Sequence, residues 1–163
     1  MGQTTEAMQH RGKQTFLCVS LPDDCVGDDQ VDSSHPVTAE KLEHQHRAIY
    51  EQESGTTAAA EARVVHVVRG TTGSIEQVRA GCVVACIGDA TVTVDLLVNG
   101  ASVLTAAFDL SSSQSAYELV TGVIDDGDLE DGDVVEVSVT VNAGTGTLGE
   151  GVFAEVDVHE DHS

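Results

Sequence analysis

The chain has 163 residues, with 7 Lys plus Arg against 28 Asp plus Glu and a formal charge of -21. That length suits one domain with a tail, large enough to build a core without disulfides or metals. So acidic a chain lacks the cations that nucleic-acid phosphates and anionic membrane surfaces require, and both are excluded as partners.

No run approaches the length of an apolar membrane span, and the opening MGQTTEAMQHRGK lacks the apolar stretch of a secretory leader. Glu6 stands where a myristoylation motif needs Ser or Thr, so the expectation is a soluble, unanchored protein. Residues 1–37 keep no period and gather turn formers in LPDDCVGDDQVDSSHP, which predicts an irregular arm. The next stretch, TAEKLEHQHRAIYEQE over 38–53, holds good helix formers, an N-cap candidate in Thr38, and Leu42 with Ile49 on one stripe. It predicts a short helix with a thin apolar face. SGTTAAAEA reads as a connector, so residues 1–60 form an N-terminal arm and 61–163 a β-sandwich domain.

Beyond Ala62 the texture changes to short β-branched runs between Gly, Asn, Asp and Ser. Strands are predicted over 62–69, 73–87 with a bend or break near Gly81, 90–98, 102–110, 116–121, 133–142 and 149–158. Val135, Val137, Val139 and Val141 alternate with Glu136, Ser138 and Thr140, the pattern of a strand with one buried face. Asn99-Gly100 predicts a type I′ turn and an antiparallel hairpin around it. With no helices interleaved, the expected class is all-β, an antiparallel sandwich of jelly-roll or immunoglobulin-like type. Its core is read as mostly Val, Ala, Leu and Thr, with Phe108, Tyr117 and Phe153 the only aromatics of the strand region. So few aromatic faces weigh against a stacked sugar site.

All seven basic residues (Arg11, Lys13, Lys41, Arg47, Arg63, Arg69 and Arg79) precede Ala80, and the 16 acids after it have no basic neighbour in sequence. Such a polyanion fits either a salty environment or a surface that docks on a cationic partner or projects outward in many copies.

The densest acidic string is DDGDLEDGD, residues 125–133. Two readings stand: an acidic turn shaped by Gly127 and Gly132, or a Ca²⁺ site through Asp126, Asp128 or Asp133. Asp131 and Val137 occupy positions where an EF-hand needs Gly and Glu, which favours the turn. Cys82 and Cys86, four apart on an extended strand, should sit about 13 Å apart and stay buried thiols. Cys18 and Cys25 are free to bridge under oxidising conditions. Glu43, His44 and His46 offer a metal seed only if that segment is extended, and solvated side chains are the expectation. His10, His35, His159 and His162 fall in terminal or irregular stretches, and His66 reads as an ordinary strand residue. GTGTLG over 144–149 spells GxGxxG but joins two predicted strands, so it reads as a hairpin loop rather than a dinucleotide site. With no nucleophile elbow, zinc-protease motif or phosphate loop, no catalytic residue, cofactor or metal ligand is assigned and no turnover is expected.

The segments HQHRAIYEQ, ARVVHVVRG, GCVVACIGDATVTVDLLVNGASVLTAAFDL, AYELVTGVI, GDVVEVSVTVNAGTG and GEGVFAEVDV together resemble small bacteriophage virion proteins of the capsid decoration or head-fibre type. The resemblance spans about residues 42–160 and leaves out 1–37. It implies a β-sandwich on the capsid exterior, commonly a homotrimer, whose N-terminal arm binds the major capsid protein while the acidic module faces outward. Two other classes remain. One is an adhesin or lectin-like module reading host glycans through loops 88–90, 111–115 and 125–133, and the other is a hydrolase of unspecified type.

Overall fold

A computed structural model describes residues 44–161. Ten strands follow one another, and among the described residues there is no helix. They are β1 (His44–Glu51), β2 (Glu61–Val67), β3 (Gly73–Val84), β4 (Thr91–Val98), β5 (Ala101–Ser102), β6 (Phe108–Leu110), β7 (Val120–Thr121), β8 (Asp128–Leu129), β9 (Val134–Asn142) and β10 (Glu150–Glu160). Every pairing is antiparallel. One sheet runs β1-β10-β3 with β7 and β8 along the far side of β3, and the other runs β2-β9-β4 with β5 and β6 along the far side of β4.

The expected helix over 38–53 is overturned where the structure describes it, since His44–Glu51 is a strand paired along its whole length with β10. Helix propensity is a weak preference, and a partner strand that hydrogen-bonds eight residues outweighs it. The period is two: Ala48 and Tyr50 are buried while Arg47, Ile49 and Glu51 are exposed. The described residues lie in one compact unit that takes in 44–60, so the boundary expected at residue 60 falls inside the β-rich body. The expected arm over 1–37 and the possible Cys18–Cys25 bridge lie outside the described residues.

Val135, Val137 and Val139 are fully buried and alternate with the more exposed Glu136, Ser138 and Thr140, as the pattern predicts. Asn99 and Gly100 both hold positive φ, 51° and 84°, and Leu97↔Ser102 and Val98↔Ala101 close the turn between them. The hairpin is short. After Ser102 the chain leaves the sheet and returns as β6 against the other half of β4, so the strand expected over 102–110 is interrupted. No break occurs at Gly81, which pairs with Phe153 across the ladder. The Phe153 ring occupies the space a side chain would need, with Cζ 2.9 Å from where a Cβ would stand.

Both sheets contribute to one core built from Val, Ala, Leu and Ile, and its largest side chain is Tyr50, which the predicted helix had kept apart from it. The two sides of the sheet pair close differently. On one, backbone bonds from Thr105 N to Val123 O and from Asp125 N to Val103 O lace the connectors together, with a bridge at Leu104↔Ile124. On the other, β1 and β2 are the outer strands, and no backbone pairing joins them among the described residues. Side chains close that side.

Candidate functional site

The inward-facing positions of β1 are His46, Ala48 and Tyr50. Those of β2, opposite Val139, Val137 and Val135, are Glu61, Arg63 and His66, with an extra residue at Val65 that shifts the register. An outer strand that points charges inward resists pairing with a foreign strand. Here the same charges form a polar seam between the sheets.

At one end of the seam the Tyr50 hydroxyl donates to Glu61 Oε1 at 2.8 Å and accepts from Gln52 Nε2 at 2.7 Å. The Gln52 amide also donates to Ala59 O and accepts from Ala59 N, which fixes its orientation. Arg63 donates to Glu51 O at 2.9 Å and to Glu61 Oε1 at 3.0 Å, and its guanidinium carbon stands 5.3 Å from the centre of the Tyr50 ring. Burial, helped by the bond to Glu61, pushes the Tyr50 phenol well above its ordinary range, so it stays protonated and donating.

At the other end Glu160, the last residue of β10, receives one histidine from each sheet. His66 Nε2 lies 2.7 Å from one carboxylate oxygen and His46 Nε2 3.2 Å from the other. The two rings are 5.5 Å apart and inclined by 31°. His66 is therefore not an isolated strand residue, and His46 belongs to an extended segment, the condition set for a metal seed. The trio forms a hydrogen-bonded clasp, and among the described residues no group of three or more His, Cys, Asp or Glu side chains is disposed to hold a metal ion. His159, expected in a free terminal stretch, is a β10 residue paired with Gln45 and Ser74, and its Nε2 is buried without a partner.

On the outer face of the first sheet, Arg47 donates to Asp157 at 2.8 Å and Arg79 to Glu155 at 2.8 Å. The bond to Asp157 raises the Arg47 pKa further. These cross-strand pairs are largely screened surface contacts.

Residues 125–133 form a turn whose carboxylates serve the backbone. Asp131 accepts from Gly70 N, and Asp133 accepts from Glu130 N at 2.8 Å and from Asn99 Nδ2 at 2.7 Å. Those bonds, the one from Glu130 first, hold the Asp133 carboxyl below its ordinary range. Leu129 points into the core and pairs the turn with β3 as β8. The loop over 143–149 is no hairpin, because β9 and β10 belong to different sheets. Asp89 anchors it by accepting from Thr145 N at 2.8 Å, which lowers the Asp89 pKa.

Cys82 and Cys86 are buried free thiols. They are brought closer than a straight strand implies, since β3 ends at Val84 and both sulfurs flank Gly149. Its N–H donates to Cys86 Sγ at 3.2 Å, and Cys82 Sγ lies 3.1 Å from where its Cβ would be. Burial, with the neighbouring Cys86 second, pushes the Cys82 thiol up to about 11, which leaves it un-ionised at neutral pH.

Sequence reasoning missed Tyr50, Glu61, Arg63 and Glu160 as seam residues. The available clue was the alternation of His46, Ala48 and Tyr50, which a helical reading hides. No family model matches the chain, and no curated protein matches it in sequence.

Proposed function

We propose that the chain is a non-catalytic structural protein of a bacteriophage particle, a jelly-roll sandwich that decorates or stabilises the capsid and acts through contact. The strand order carries this reading. Counting β5 with β6 and β7 with β8 as two interrupted outer strands, the described residues read as eight strands in orders 1-8-3-6 and 2-7-4-5. That order supports a jelly roll, an architecture used by viral capsid and lectin domains. An immunoglobulin-like sandwich instead keeps its first two strands in one sheet.

Two further features support contact over chemistry. The ionisable groups of the seam join the two sheets, and, Glu160 apart, the described acids of the second half sit on turns, strand ends and outward strand positions. A body with this charge stays dispersed when displayed in many copies. In this account the N-terminal segment, which carries Arg11, Lys13 and Lys41, contacts the major capsid protein. The β-rich body faces solvent, and like copies associate as a trimer.

Capsid binding by the full chain and by a truncation starting at residue 44 tests the arrangement. The full chain should sediment with capsids at a saturating stoichiometry, while the truncation should fold and stay in the supernatant. Equal capsid binding by the truncation contradicts the assignment of the arm.

A further inference from the structure

The few aromatic residues of this body weigh against sugar stacking, but the structure gathers two of them in one place. Tyr117 and Phe153 line a single open groove of about 690 Å³, where β1 ends, β10 begins and the loop ahead of β7 passes over β3. Glu51, Glu53 and Arg63 complete its polar wall. Tyr117 is 67% exposed, which is unusual for a side chain so rich in apolar surface. Its backbone holds φ at 63°, a conformation that bulky residues rarely adopt. The loop fixes it there: Tyr117 N donates to Cys82 O at 2.8 Å, and Glu118 Oε2 accepts from Ser115 N at 2.7 Å. The ring is thus presented to solvent on a backbone already ordered, which lowers the entropy lost on binding.

The polar groups around the ring are unspent. Among the described residues, the carboxylates of Glu51 and Glu53 and the hydroxyl of Tyr117 form no hydrogen bond or ion pair. Arg63 is pinned by Glu51 O and Glu61, with guanidinium N–H groups left over. An aromatic face beside acceptors and a fixed donor matches a pyranose ring, which has an apolar C–H face and an edge of hydroxyls that donate and accept. Charge narrows the class. Glu51, Glu53 and the net charge of the chain repel acidic sugars.

We propose that this groove binds a neutral oligosaccharide, with one ring stacked on Tyr117 and its hydroxyls bonded to Glu51, Glu53 and Arg63. Phe153, lying over Gly81, forms the apolar floor. The site differs from the loops over 88–90 and 125–133, whose carboxylates Asp89, Asp131 and Asp133 are committed to backbone N–H groups. The inference goes beyond the capsid role and holds or fails independently of it.

The full chain, labelled with ¹⁵N, is titrated with N-acetyllactosamine, maltotriose and mannotriose at millimolar concentration, with 3′-sialyllactose as the acidic comparison. At least one neutral probe should shift the amides of residues 51–54, Tyr117 and Phe153, and the sialylated probe should bind more weakly than its neutral counterparts. Tyr117→Ala, at an exposed position, should weaken binding about tenfold or more. Glu53→Gln should weaken it severalfold, and Val123→Ala, exposed outside the groove, should leave it unchanged. The proposal is overturned if no neutral probe binds, if the shifts map elsewhere, if the sialylated probe is preferred, or if Tyr117→Ala binds as tightly as the parent.

Discussion

Tyr50→Phe is the most direct test of the seam between β1 and β2. The substitution leaves a ring of nearly the same volume at a position 1% exposed, so apolar burial is preserved. What disappears is one hydrogen bond donated to a carboxylate, 2.8 Å from Glu61, and one accepted from Gln52 at 2.7 Å. A bond to a charged acceptor contributes about 1.5–3 kcal/mol and a neutral one about 0.5–1.5 kcal/mol. Glu61 keeps Arg63 and Gln52 keeps Ala59 O, so neither group is orphaned and the loss belongs near the lower end, about 2 kcal/mol. For a body of this size that lowers Tm by about 6–10 °C. Calorimetry at neutral pH reads the shift. A double-mutant cycle with Glu61→Gln should return a coupling of about 1 kcal/mol. A loss below about 0.5 kcal/mol with no coupling would refute the reasoning, because it would place the phenol in solvent rather than in a desolvated seam.

Further outcomes follow from the same geometry. The folded state keeps the Tyr50 proton beyond the ordinary phenol pKa of 10.0 while the unfolded chain gives it up. Its contribution is therefore complete below about pH 10 and declines above that by up to about 1.4 kcal/mol per pH unit, a decline that Tyr50→Phe should remove in alkaline unfolding curves. Gly81→Ala places a methyl 2.7 Å from Glu118 O and 2.9 Å from Phe153 Cζ, and should cost about 1–3 kcal/mol by denaturant titration. A change below a few tenths would show that the Phe153 ring and the backbone at Glu118 both give way freely. NMR titration of the carboxylates should find Asp89 and Asp133 holding their charge to lower pH than an ordinary Asp, and Asn99→Ala should bring Asp133 part of the way back. Since Asp131 and Asp133 already cap backbone N–H groups, adding Ca²⁺ should leave Tm unchanged, and a rise of several degrees would revive the calcium reading of that turn.

The sequence made the strands legible where one face is buried without interruption. The Val series of β9 and the Asn99-Gly100 turn fix a strand and a corner through local rules alone, and both stand as expected. The first strand was illegible because its residues are good helix formers and its partner lies more than a hundred positions away: Ala48 pairs with Val156, a choice no local pattern encodes. β8 was hidden for a related reason, since one apolar residue, Leu129, among carboxylates looks like a turn until β3 pairs with it. The candidate seam depended on both failures. Tyr50 needed the strand, Glu61 and Arg63 needed the parity of β2, and the bulge at Val65 breaks that parity before His66. Meeting points such as Glu160 with two histidines, or Tyr117 with Phe153, arise from sheet packing and carry no signature at short range in sequence.

The account as a whole turns on this chain being a stoichiometric part of a particle. Quantitative mass spectrometry of purified phage particles from the host that expresses it measures that directly. The account predicts peptides of this chain in intact particles, at a fixed ratio to the major capsid protein that matches a symmetry class of the shell. Its absence from washed particles, while it is abundant as free protein in the same lysate, would contradict the account.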